Sequence, residues 1–93
     1  MMKYKIERTS RFKKDYKLIQ KRGYDIKLLK TVVEILATGE ILPAKYKDHP
    51  LRGSYKGLRE CHIAPDWLLI YETDNNMLYL YLTRTGTHND LLE

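Results

Sequence analysis

Met77-Leu78-Tyr79-Leu80-Tyr81-Leu82-Thr83-Arg84 decides the fold. Its three leucines alternate with Tyr79, Tyr81 and Thr83, so an extended chain shows one aliphatic face and one aromatic-polar face. Such a strand buries its leucines against a second layer and leaves its tyrosines partly wet. Upstream, Asp74-Asn75-Asn76 reads as a turn and Trp67 to Thr73 as a strand. A turn at Ala64-Pro65 precedes these, and a further strand runs from Leu58 to Ile63. These three strands form an antiparallel meander.

The layer that covers the leucines comes from the first half of the chain. Lys3 to Arg8 has strand period, with Tyr4 and Ile6 on one side. Thr9 or Ser10 can then cap a helix carrying Phe12, Tyr16 and Ile19 inward and Lys13, Lys14, Lys17 and Lys21 outward, ended by Gly23. Asp25 can cap a second helix with a wide stripe of Leu28, Leu29, Val32, Val33, Ile35 and Leu36, closed by Gly39. Two helices joined by so short a turn make an antiparallel hairpin. From Glu40 to Lys56 neither period holds and Pro43, Pro50 and Gly53 interrupt, which describes a long functional connection. The reading is an α+β domain of order β-α-α-β-β-β, a helical hairpin packed on a small, mainly antiparallel sheet.

Ninety-three residues with 43% hydrophobic content predict one domain over 1–93 with a modest core. A net charge of +5 favours a polyanionic partner: nucleic acid, an anionic membrane face or an acidic protein segment. Cys61 is the only cysteine, so no intramolecular disulfide forms. Neither a signal-peptide core nor an 18-residue apolar run is present, and cytoplasm is the default expectation.

Proton-transfer groups concentrate in Asp48 to Trp67, which holds His49, His62 and Asp66 beside the cations Arg52, Lys56 and Arg59, with Lys47 just upstream. Imidazole titrates near neutrality, so a group of histidines can both accept and donate a proton at cellular pH. His62 precedes a tight turn and Asp66 follows it, which places Asp66 to orient His62 or to act on a proton itself. The plainer alternative is that each histidine is structural. A metal is the sharper competitor, since three imidazoles and a carboxylate can fill a zinc sphere. No His-x-x-x-His or Cys-x-x-Cys pair supports it, and no metal or other cofactor is expected. Cys61 and His62 are strand neighbours that point to opposite faces, which excludes a nucleophile pair and makes Cys61 a small core residue. Trp67 is equally readable as a stacking platform for a base or as a core aromatic. Arg84, near His88, can offer a phosphate two parallel donors.

Over nearly its whole length, weakly over the helices and strongly from Tyr46 onward, the chain resembles the YafQ branch of the RelE-type toxins of bacterial toxin–antitoxin pairs. The likeness rests on Tyr46-Lys47-Asp48-His49-Pro50-Leu51, Gly53-Ser54-Tyr55-Lys56-Gly57, Arg59, His62, Pro65-Asp66-Trp67, Leu69-Ile70-Tyr71 and Arg84-Thr85-Gly86-Thr87-His88. It implies the RelE-like fold and a ribosome-dependent endoribonuclease that cuts messenger RNA and is neutralised by an antitoxin. Such toxins bind operator DNA as complexes, through the antitoxin. By the same resemblance His49, His62, Asp66 and His88 are the catalytic set and Trp67 and Arg84 match the family's tryptophan and arginine; together with the cations Lys47 and Arg52 they are the expected RNA contacts. His88 is then the leading acid, Asp66 or His49 the base, and His62 and Arg84 steady the phosphate, with no metal and no membrane involved. One departure is Leu92, where YafQ-type chains can carry an aromatic. The competing reading is a non-catalytic basic module that binds an acidic protein or nucleic acid.

Overall fold

Thr9 ends one element, begins the next and ties both to a third. Its hydroxyl accepts from the Phe12 amide at 3.0 Å and donates to the Thr83 carbonyl at 2.7 Å. In this computed structural model, which describes residues 2–91, β1 (Lys5–Arg8) thus passes directly into α1 (Ser10–Lys21). Asp25 accepts from the Lys27 amide and caps α2 (Ile26–Ala37). Beyond it come a short strand β2 (His49–Pro50), then β3 (Arg59–Ala64), β4 (Trp67–Asp74), β5 (Tyr79–Gly86) and a single turn, α3 (His88–Leu91). Leu92 lies outside the described residues.

The sheet has five strands in the order β1-β5-β4-β3-β2; β1 runs parallel to β5 and every other pair is antiparallel. The helix-side core takes Leu80 and Leu82 from β5, Cys61 and Ile63 from β3, and Phe12, Ile19, Leu29, Val32 and Leu36 from the helices. Each aliphatic side chain buried there contributes about 1.5–3 kcal/mol relative to exposure. Leu68, Ile70 and Leu91 form a smaller cluster, packed by Leu51, Tyr55 and Leu58 from the long connection.

Three details depart from the sequence reading. The connection contains β2, where His49 pairs with Glu60 and Pro50 with Arg59. Two residues are too few to show a period, and an edge is where a strand tolerates proline. The last strand starts at Tyr79, because the preceding turn absorbs Met77 and Leu78. Leu78 sits at φ +58° and is exposed instead of meeting the helices. Asp74 dictates that turn by accepting from the amides of Asn76 and Met77. The first strand begins at Lys5, since the amides of Lys3 and Tyr4 both donate to the Ala37 carbonyl at the end of α2.

Candidate active site

Strand alternation sends Cys61 and Ile63 into the helix-side core, so Glu60 and His62 share the opposite face of β3. β2 brings His49 beside them, and the end of β5 brings His88. The three imidazoles form a row with His62 in the middle, 6.2 Å from His49 and 5.7 Å from His88 between ring centroids. Residues from three separate segments therefore converge.

Each outer histidine is held by a different device. Asp66 Oδ1 accepts from the His88 amide at 3.0 Å and from His88 Nδ1 at 2.7 Å. A carboxylate only accepts, so Nδ1 carries the proton and Nε2 is left for chemistry. These two bonds hold the Asp66 carboxyl below the usual carboxylate range. Asp66 thus serves His88, not His62 as its sequence neighbourhood suggested. His49 Nδ1 donates to the Lys47 carbonyl at 2.7 Å, and its Nε2 lies 3.3 Å from Glu60 Oε1. His62 is different: burial first, then the charge of His88 and Lys47, pushes it below 6.5, partly offset by a hydrogen bond to the Pro65 backbone. Its surroundings thus favour the uncharged form of the middle imidazole.

Two expected RNA contacts have partners within the fold. Trp67 is buried, donates through Nε1 to Thr85 Oγ1 at 2.9 Å and meets Tyr24 edge-on at 5.0 Å. It fills the core and presents no face to a base. Arg84 forks onto Asp15 of α1 at 2.8 and 3.2 Å, both side chains being mostly covered, so its paired donors are already used. Lys47 and Arg52 are exposed at the connection. The Cys61 thiol is pushed up to about 12 by burial, which leaves it no nucleophilic role.

The profile of a family described as the bacterial toxin of type II toxin–antitoxin systems, YafQ, matches residues 4–93. The chain belongs to the YafQ family. It is 46% identical to the mRNA interferase toxin YafQ of Escherichia coli K12 over 89 residues, 95% of each chain. It superposes on YafQ in the crystal structure of the E. coli DinJ–YafQ toxin–antitoxin complex with a TM-score of 0.89 at 44% identity, covering 99% of this chain and 100% of that one. A metal-bound toxin from Helicobacter pylori gives 0.89 at 47% identity, over 98% and 99%.

Several residues that position the row in this YafQ-family chain escaped the sequence reading. Thr87 and Asp90 exchange bonds, Thr87 N to Asp90 Oδ2 at 2.9 Å and Asp90 N to Thr87 Oγ1 at 3.0 Å, a capping box that makes His88 the first residue of α3. Arg22, at the end of α1, forks onto the same Asp90 at 2.6 and 3.1 Å. Gly86 lets this happen: a Cβ there would lie 2.9 Å from Asp90 Oδ2, at φ +155°. On the other side Asp48 is gripped by Arg59 and by the Tyr71 hydroxyl, which fixes the chain just before His49. Glu60 was also missed, although its two-residue spacing from His62 on a strand was a usable signal. Among the described residues, donor atoms of His49, Glu60 and His62 lie within 4.8 Å of one another, the spacing of a metal-ligand set.

Proposed function

We propose that this chain is a ribosome-dependent messenger-RNA endoribonuclease that cleaves through the RNA 2′-hydroxyl. The relative it matches in E. coli carries the name mRNA interferase toxin. The observation that carries the chemistry is His62 standing 5.7 Å from a His88 that Asp66 orients, with burial favouring the uncharged form of His62. Adjacent imidazoles at this spacing can flank one phosphate. His62 takes the 2′-hydroxyl proton, and His88 Nε2 returns a proton to the leaving 5′-oxygen. Asp66 is thereby the orienting group rather than the base. His49, Lys47 and Arg52 meet the charge that builds on the phosphate.

The protein acts in the cytoplasm, where ribosomes present message to it, and an acidic antitoxin neutralises it, as DinJ is complexed with YafQ in the E. coli structure. Operator DNA is reached only through that antitoxin. Among the described residues no helix is long and apolar enough to cross a membrane. A basic module without chemistry is disfavoured, because charge alone has no use for three imidazoles in a row.

His88→Ala decides the matter on ribosomes programmed with message. Cleavage should fall about 10²- to 10⁴-fold with the fold intact, and full activity would refute the assignment. The pH profile tests His62. Its folded pKa is lowered, so it remains an unprotonated base to a more acid pH than a free imidazole, and the rising limb of kcat/KM should lie below pH 6.5. His62→Gln should remove that limb.

The converged donors favour one further reading of the same groups, since His49, Glu60 and His62 suit a borderline transition metal. A metal there takes lone pairs the proton transfers need. Added copper or zinc should therefore inhibit cleavage and chelator restore it.

A further inference from the structure

If the imidazole row cuts RNA, as proposed above, the nucleotide must also be seated beside it. A cavity of about 400 Å³ opens next to His62, between α2 and the end of β3, with Leu28 and Thr31 on the helix side and Tyr46, Lys45 and Lys47 on the other. We propose that this cavity receives the nucleobase adjoining the scissile phosphate and so sets which positions in a message are cut.

Four observations carry this inference. The volume falls at the lower end of small-molecule sites, about 300–1,000 Å³, which suits one base and excludes a duplex. Tyr46 is half-buried, with the Lys45 ammonium 5.1 Å from its ring centroid, and unstacked RNA bases are held by such rings. Lys47 is exposed and lines the same cavity as His62, which puts a cation beside any nucleotide seated there. Finally, β2 pairs with β3 only at Glu60 and Arg59. Among the described residues the outer edge of β3 from His62 to Ala64 has no strand neighbour, and the Tyr46 segment packs against this strand instead. That stretch is too short for an added strand of an antitoxin, which would need a longer run of paired backbone.

Leu28→Trp is the direct test. Leu28 lies on the rim and is 46% exposed, so a larger ring fills the cavity without entering the core. On ribosomes programmed with messages of varied sequence, KM should rise about tenfold or the distribution of cut positions should shift, while thermal unfolding stays unchanged. Tyr46→Ala should act in the same direction and Tyr46→Phe should restore the wild-type pattern. A folded Leu28→Trp protein that cuts the same positions with unchanged KM would overturn the proposal. So would a variant that loses only antitoxin binding, because the cavity would then belong to the antitoxin. If the wild-type chain itself cuts nothing, the nuclease reading fails and takes this one with it. If it cuts and Leu28→Trp is indifferent, the pocket assignment fails alone.

Discussion

The row of imidazoles ends in two carboxylate–histidine pairs that share a chemistry and differ in their surroundings. His88 and Asp66 meet at 2.7 Å with side chains 46% and 66% exposed. His49 and Glu60 meet at 3.3 Å, and Glu60 is only 5% exposed. In the first pair solvent screens the attraction, so the pair adds little to stability. What Asp66 supplies is direction, because one oxygen holds both the backbone and the ring of His88. In the second pair a carboxylate has been taken out of water, a cost of several kcal/mol that its neighbours must offset. On the chemistry proposed above, Asp66 acts through the reaction, whereas the covered Glu60 acts first through the fold.

Asp66→Asn should show the largest effect and sharpen that division. An amide can turn its NH₂ toward Nδ1 and select the wrong tautomer, so kcat should fall about 10²-fold or more. Thermal unfolding of the same sample should be essentially unchanged, because solvent already screens this exposed pair. A large loss of stability with little loss of cleavage would reverse the roles given to the two pairs.

Glu60→Ala should behave in the opposite way. Removing a covered carboxylate leaves its partners with unmet hydrogen-bonding needs, worth about 1–3 kcal/mol. In a domain of this length each kcal/mol lowers Tm by about 4–8 °C. Cleavage should weaken less than in Asp66→Asn, and copper inhibition should vanish because the donor set has lost a member. An unchanged Tm would mean that Glu60 belongs with the reaction after all.

The contrast also explains which parts of the molecule could be read from the residues alone. Leu80 and Leu82, the Thr9 and Asp25 caps and the helical stripes announce themselves through spacing within a few residues. The order of elements was accordingly legible. The three histidines and Asp66 were legible as candidates, with their grouping supplied by the resemblance. Their orientation was not, because it depends on partners remote in sequence: Arg22 with Asp90, Asp15 with Arg84, Tyr71 with Asp48. No periodicity links residues 20 to 70 positions apart. The fold partners of Trp67 and Arg84 were hidden for the same reason, since their chemistry suits RNA as well as it suits Thr85 and Asp15. β2 was invisible because two residues carry no pattern.

The smallest expected effect lies at Lys47, where the His49 arm stores its strain. This residue is in the left-handed region at φ 50° and ψ 43°, and its carbonyl accepts from His49 Nδ1. A side chain there costs about 1 kcal/mol or more, which glycine does not incur, while glycine adds a similar amount of unfolded-state freedom. Lys47→Gly should therefore leave Tm within the equivalent of about 1 kcal/mol of wild type, and the His49 ring should keep its orientation. The lost ammonium should appear instead as a severalfold rise in KM that shrinks as salt is raised, because screened charges contribute less. A clear drop in Tm would show that the lysine side chain, rather than the backbone it sits on, holds His49 in the row. The two arms would then differ less than their geometry implies.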